Sequence, residues 1–357
     1  MEFAIRVTDH CNLNCQYCYA RVAKPKNMSV ETLDRALTEV AGLSEEPVTI
    51  SWTGGEPLTM GHEFFESIAR IQSRLGSNRF TNILQSNLIL LDAHYMRFLI
   101  EQGFQVRTSL DLPPENHDAL RRAGDFARAL CSVVALKSAG VPVNVNTVVT
   151  GRNIDRPEEI FAFLKSIGIT SFSVSRLVEQ GNATNHPEFA VYDNAAFGQF
   201  LVKLFDCWIA DKEKPLIERI TPLDKLLAAC RRGSRDEKAK CFHCQSQMFA
   251  IGPDGAVFPS CNKFFALIDT CLGNIYETSL RSVIDSEARR KFLVATSDVS
   301  NRVCGECEYV DYCEGGCYYI AHTARVKGED MHTRERFCKG YYLVFERILR
   351  HLKEARS

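Results

Sequence analysis

The first 176 residues alternate between two patterns of apolar positions. Runs rich in Val, Ile, Thr and Phe read as strands at Phe3–Thr8, Val48–Trp52, Phe80–Gln85, Gln105–Leu110, Val141–Val148 and Thr170–Val174. Between them, apolar residues recur at helical spacing over Val30–Leu43, His62–Leu75, Asp92–Gln102, Asp125–Ala139 and Pro157–Ile167. Ser29 and Asp92 stand where helix-start residues belong. Six β/α repeats predict a parallel sheet curled into a partial or complete barrel. After a polar stretch, Val178–Pro187, two helices are predicted at Asn194–Asp211 and Pro222–Arg232. A cysteine-rich part with turns such as Pro253-Asp254-Gly255 comes next. The tail Lys339–Lys353 has the spacing of a closing helix.

Composition narrows the function. The chain has 357 residues, 45% hydrophobic, enough to bury a substantial core. A net charge of −1 gives no electrostatic footprint for nucleic acid or acidic membranes. No apolar run reaches the length of a bilayer span, and the N-terminus has no secretory pattern. A reducing, cytoplasmic setting is the expectation. There, 15 cysteines point to metal ligation before disulfides.

The first cysteine group is Cys11-Asn12-Leu13-Asn14-Cys15-Gln16-Tyr17-Cys18. Three thiolates on one tight loop can hold three irons of a [4Fe–4S] cube and leave the fourth open for a ligand. A zinc knuckle is the alternative, but zinc in structural sites takes four ligands. Placed after the first strand, the group sits where barrels bind ligands. Gly54-Gly55-Glu56-Pro57 follows the second strand, Ser86-Asn87 the third, and Ser109-Leu110-Asp111 closes the fourth. The second group is Cys304-x2-Cys307-x5-Cys313-x3-Cys317, then Cys338, with Cys241-x2-Cys244 and Gly255-x5-Cys261 upstream. A pair of zinc ribbons is its alternative.

The C-x3-C-x2-C triplet with Tyr17, and the GGEP-type turn, resemble the radical S-adenosylmethionine (SAM) superfamily over residues 1–176. The second group resembles the SPASM domain over about 241–338. The resemblance implies an α/β fold: a partial (β/α)6 TIM-like barrel with a C-terminal cysteine-rich SPASM domain holding two auxiliary iron–sulfur clusters. It implies boundaries at 1–190 for the barrel, 191–240 for a helical linker, 241–338 for SPASM and 339–357 for the closing helix.

The resemblance also implies site residues. Cys11, Cys15 and Cys18 would hold the SAM-binding [4Fe–4S] cluster. Tyr17, Gly54, Gly55, Glu56, Asn87, Ser109, Asp111 and Arg121 would contact SAM, with Glu56 facing its amino group. Arg121 would pair the SAM carboxylate or else be a surface charge. Cys241, Cys244, Cys261 and Cys317 would hold auxiliary cluster I. Cys304, Cys307, Cys313 and Cys338 would hold cluster II. Leu88 and Leu112 stand where the family has glycine. The spacing Gly255-x5-Cys261 is one residue longer than usual, and a bulge is expected there.

The activity implied is reductive cleavage of SAM to a 5′-deoxyadenosyl radical that abstracts hydrogen from a substrate, with the auxiliary clusters as an electron conduit. Sulfatase maturases of the family carry an aspartate base directly after the cysteine matching Cys261. Here Asn262 stands there and cannot serve as a base, which argues against sulfatase maturation. Cys271, a spare thiol, is a candidate hydrogen donor or a small packed side chain. Tyr318 and Tyr319 flank a ligand as relay candidates or as core. Glu179-Gln180-Gly181-Asn182 lies at the barrel mouth. The reading is a maturase that crosslinks or oxidises a ribosomally made peptide. Because the first strand begins within a few residues of Met1, a leader peptide is expected to need either a separate leader-recognition protein or contact with the barrel and SPASM surfaces. A flavodoxin- or ferredoxin-type electron donor is expected as well. The alternative is a small-molecule dehydrogenase or epimerase acting on a sugar, cyclitol or amino acid. A non-catalytic metal scaffold is a third.

Overall fold

The computed structural model of the protein describes residues 1–22, 24–191, 193–214, 216–232, 247–313, 315–319 and 335–355. Its N-terminal half alternates as the spacing predicts. In chain order come β1 (Glu2–Thr8), α1 (Val30–Ala41), β2 (Val48–Gly54), α2 (His62–Leu75), β3 (Phe80–Gln85), α3 (Ala93–Glu101) and β4 (Gln105–Ser109). Then follow α4 (Pro114–Leu120), α5 (Asp125–Ser138), β5 (Val143–Val149), α6 (Pro157–Ser166) and β6 (Ser171–Arg176). Ser29 and Asp92 cap α1 and α3 by accepting from the amides of Thr32 and Tyr95. Each such cap is worth about 1 kcal/mol.

Strands β1 to β6 pair in parallel in sequential order. One face of the sheet packs on the helices. Phe3, Ile5, Ile50, Trp52, Leu84, Val145 and Phe172 are buried there. The other face is polar, with Ser51, Thr53, Arg107, Asn144, Ser171 and Ser173. It is concave: Arg107 of β4 reaches Glu2 of β1 (Nη1 to Oε1 3.6 Å) and Ser51 of β2 (3.4 Å). Side chains of strands two or three places apart can meet only across a curled sheet. The contact stands at the end where β1 begins, so ligands are left the opposite end, where the strands run out.

After β6 come α7 (Asn194–Ala210), β7 (Arg219–Thr221), α8 (Leu223–Arg232), β8 (Met248–Ile251), β9 (Ala256–Pro259) and β10 (Gly273–Asn274). The final elements are α9 (Leu280–Ile284), α10 (Glu287–Cys304), α11 (Val310–Cys313) and α12 (Glu335–Glu354). Two pairings go beyond the predicted six repeats. β7 lies parallel beside β6, and β8 lies parallel beside β1, with Glu2 opposite Met248 and Ile5 opposite Ile251. The sheet therefore runs β10-β9-β8-β1 through β7 and stays open, with β10 and β7 at its edges. The cysteine-rich part thus continues the barrel sheet.

The closing helix α12 packs on α7. A Cβ at Gly198 would fall 2.4 Å from the Cα of Gly340, so the crossing is as close as two glycines allow. No described helix is long and apolar enough to cross a membrane.

Candidate functional site

The chain leaves β1 at Thr8 and enters the loop carrying Cys11, Cys15 and Cys18. Arg6, buried on β1, pairs with Asp9 at 2.5 Å and fixes the start of that loop. From there the loop is tied to the ends of other strands. After β2, Glu56 N donates to His10 O (2.8 Å), and Gly55 packs so closely that a Cβ would sit 2.3 Å from the same oxygen. After β3, Asn87 Nδ2 donates to Asn12 Oδ1 (2.8 Å). Past β4, Gln16 N donates to Leu120 O (2.8 Å). After β6, Asn182 N donates to Cys18 O (2.9 Å) and its Nδ2 to Cys15 O (2.9 Å).

Beneath the loop lies a buried ionic network. Tyr17 Oη donates to Asp111 Oδ2 (2.5 Å), Arg121 Nε donates to the same oxygen (2.7 Å), and an Arg121 Nη2 hydrogen bond reaches Tyr17 Oη. Val148 N donates to the other Asp111 oxygen (3.1 Å). Burial works against the Asp111 carboxylate, but Arg121, His117 and Tyr17 together hold its pKa below the ordinary value. Burial, then the Arg121 charge, pushes His117 down to about 4. His117 is therefore neutral, and its Nδ1 accepts from Asp111 N at 3.2 Å. Arg121, placed by sequence either on the surface or on SAM, spends Nε and Nη2 inside the protein.

Glu56 also differs from its sequence reading. Its side chain is turned inward, 1% exposed, and accepts from Leu58 N (3.0 Å), Ser86 Oγ (2.8 Å) and Asn87 N (2.7 Å). It joins the loops after β2 and β3; Gly54, Gly55, Asn87 and, at the end of β4, Ser109 are half-buried. Leu88 adopts a left-handed backbone conformation that glycine takes readily, φ +62°, with its side chain fully buried. Left-handed geometry costs a leucine about 1–2 kcal/mol; full burial of its side chain offsets that by a similar amount. Leu112 is fully buried too, and Asn153 Nδ2 donates to its carbonyl.

The thiols suit iron. Cys11 is the exposed member of its trio, yet surrounding protein still raises it to about 11, with Glu56, Cys15 and Cys18 adding to the effect. Burial raises Cys15 as well, against the pull of Arg121. Thiols gathered in a low dielectric repel one another as thiolates, and cationic iron relieves that repulsion.

Apart from Cys271, the described cysteines of the C-terminal part fall into two sets. Cys261 and Cys317 pack on one apolar cluster with Phe258, Phe264, Tyr318 and Tyr319, and each raises the Tyr319 phenol after burial has done so. Cys313, pushed up to about 12 by burial, also feels Cys338, Cys304 and Cys307. Cys241 and Cys244 lie outside the described residues. Among those residues no group of three or more His, Cys, Asp or Glu closes on a single metal ion.

The bulge expected between Gly255 and Cys261 is replaced by another device. The β8–β9 ladder is regular through Pro259, and Ser260 then adopts φ +66° to turn the chain into Cys261. Asn262 lies against β2, its Nδ2 3.3 Å from Thr53 Oγ1, next to Gly54. Cys271 is exposed at the entry to β10, its Sγ 3.4 Å from Gly273 O. Tyr318 is buried edge-on to Phe292, ring centroids 5.0 Å apart.

Sequence reasoning missed Tyr19. Burial, then Cys261, Cys18 and Tyr319, raise its phenol above the ordinary range, so it sits between the two cysteine regions. Adjacency to Cys18 was the available signal, and adjacency alone does not tell which way a side chain points.

Residues 5–164 match the model of the Radical SAM superfamily, and residues 241–308 match SPASM, an iron-sulfur cluster-binding domain. The serine-type anaerobic sulfatase-maturating enzyme of Bacteroides thetaiotaomicron is 27% identical over 95% of this chain and 86% of its own. The cysteine-type enzyme of Clostridium perfringens (strain 13 / Type A) is 26% identical over 94% and 92%. The fold matches native anSMEcpe with bound AdoMet and Cp18Cys peptide at a TM-score of 0.84, with 24% identity over 99% of this chain and 98% of that one.

Proposed function

We propose that this chain, a radical SAM enzyme with a SPASM domain, oxidises a side chain of a peptide or protein substrate. The observation that carries the reading is kinship along almost the whole length, 94–95% of the chain, with enzymes that mature sulfatases. With SAM and its cluster bound, the site supplies a hydrogen-atom abstractor at the barrel mouth. The chain's own residues then divide the work.

Cys11, Cys15 and Cys18 hold the SAM cluster. Tyr17, Gly54, Gly55, Asn87, Ser109 and Arg121 line the SAM site, and Asp111 and Glu56 hold those groups in place. Cys241, Cys244, Cys261 and Cys317 hold auxiliary cluster I; Cys304, Cys307, Cys313 and Cys338 hold cluster II. SAM and its cluster, when bound, would supply the hydrogen-atom abstractor and auxiliary cluster I an acceptor for the remaining electron, while the proton would go to a base other than Asn262. The amide of Asn262 beside Thr53 separates the target from that of an enzyme with a carboxylate there. The oxidation or crosslink falls on a ribosomally made peptide, recognised through a separate leader-recognition protein or by the barrel and SPASM surfaces. A flavodoxin- or ferredoxin-type protein supplies the first electron. The SAM-binding work belongs to residues 1–190 and the auxiliary clusters to 241–338. The segment expected as a helical linker, 191–240, also carries β7, which joins the barrel sheet, and the closing helix α12 begins at Glu335.

The test is anaerobic incubation of reconstituted enzyme with SAM, dithionite and a panel of peptides bearing a central Ser or Cys. The expected result is peptide-dependent 5′-deoxyadenosine and a peptide lighter by two hydrogens. Stimulation by a sugar, cyclitol or free amino acid, with every peptide inert, would assign the enzyme to small-molecule chemistry instead.

A further inference from the structure

Tyr319 stands two residues after Cys317 and is 1% exposed. Its ring meets Phe264, three residues after Cys261, edge-on with centroids 5.3 Å apart. A phenylalanine would fill the same space. The hydroxyl adds one directional bond, donated to Gln180 Oε1 across 139 residues of sequence. Gln180 opens the segment that grips the SAM-cluster loop. Gly181 (φ +59°) lies so close that a Cβ would fall 2.5 Å from Cys18 O. Asn182 donates to Cys18 O and Cys15 O, both at 2.9 Å, and to Asn14 Oδ1 at 3.0 Å. An unbroken path of contacts thus runs from Cys317 through Tyr319, Gln180 and Asn182 to Cys15 and Cys18.

We propose that Tyr319 and Gln180 form a latch, a positioning pair that fixes the loop of Cys261 and Cys317 against the loop of Cys15 and Cys18. Its consequence for turnover rests on the reading that auxiliary cluster I takes the electron left on the substrate. A fixed separation lets that electron leave before the substrate radical is quenched. A loosened latch lets SAM be consumed without product.

The test compares holoenzyme with Tyr319→Phe, Gln180→Leu and the double variant, all at full iron loading. Amide hydrogen exchange, read without peptide, follows residues 178–185 and 11–19, with α2 as the control. A buried hydrogen bond worth about 1 kcal/mol predicts about five- to tenfold faster exchange in both segments. The double variant should be no faster than the singles, because both break one bond. Unchanged exchange in both singles, or effects that add, overturns the latch. Failure to oxidise any peptide would sink the proposed function and leave this exchange test standing. Where peptide is oxidised, 5′-deoxyadenosine formed per product should rise by about the same factor; an unchanged ratio overturns the coupling role.

Discussion

The loop of Cys11, Cys15 and Cys18 is hydrogen-bonded to the segments after β2, β3, β4 and β6. In the described part of the auxiliary region, Cys307 N donates to Cys304 O (3.0 Å) and Cys313 N to Tyr309 O (2.9 Å), bonds between near neighbours in sequence. Longer reaches are Cys307 Sγ to Tyr342 Oη (3.2 Å), Asn262 Nδ2 to Thr53 Oγ1 (3.3 Å) and Tyr319 Oη to Gln180 Oε1. The polypeptide thus builds the first site in advance, through backbone groups that the barrel holds in register. In the second region, on the proposed ligand set, coordination by cysteines far apart in sequence would add to the building by stapling loops together. On the proposed ligand sets, the first site would keep one iron position open for SAM, and the auxiliary clusters, with every iron ligated by protein, would serve as both staple and conduit.

Removing iron with a chelator breaks this comparison most strongly. Amides of residues 11–18 should keep most of their protection from hydrogen exchange. Those of 304–317 should exchange faster by on the order of a hundredfold or more, since metal coordination carries many kcal/mol of folding free energy. Equal loss in both regions would refute the contrast.

A smaller effect sharpens the barrel side alone. His117 is neutral in the fold, with a pKa lowered from 6.5 to about 4 by burial and by Arg121. Between those values the unfolded chain takes up the proton that the folded chain refuses. Its contribution is therefore complete above pH 6.5 and is lost as the pH falls to about 4, by up to about 3 kcal/mol. Urea melts of the wild type should show that slope, and His117→Gln should flatten it.

Much of the fold was legible in the sequence. All six leading strands fall within two residues of their predicted ends, because Val, Ile and Phe runs alternate with helical spacing and the Ser29 and Asp92 caps mark the boundaries. β7, β8 and β10 were not legible: two to four residues are too short to carry a period, and the pairing of β8 with β1 is a long-range choice. α4, seven residues behind two prolines, was missed for the same reason.

At the site, the cysteine spacings and glycines marked the loops. They could not show that Glu56 faces inward, since an acidic residue at a loop end suits a cofactor amine and backbone amides equally. Leu88 looked like a departure from the family's glycine, yet it holds a left-handed backbone that glycine would accept while its side chain is buried in the core. The Tyr319–Gln180 bond spans too much sequence for any local pattern to announce it.

The most direct test of the three-cluster assignment is iron counted alongside SAM cleavage in the wild type and in a variant with Cys11, Cys15 and Cys18 all replaced by Ala. The wild type should hold about twelve irons and the variant about eight, with 5′-deoxyadenosine abolished. About four irons in the wild type, or 5′-deoxyadenosine persisting in the variant, would contradict it.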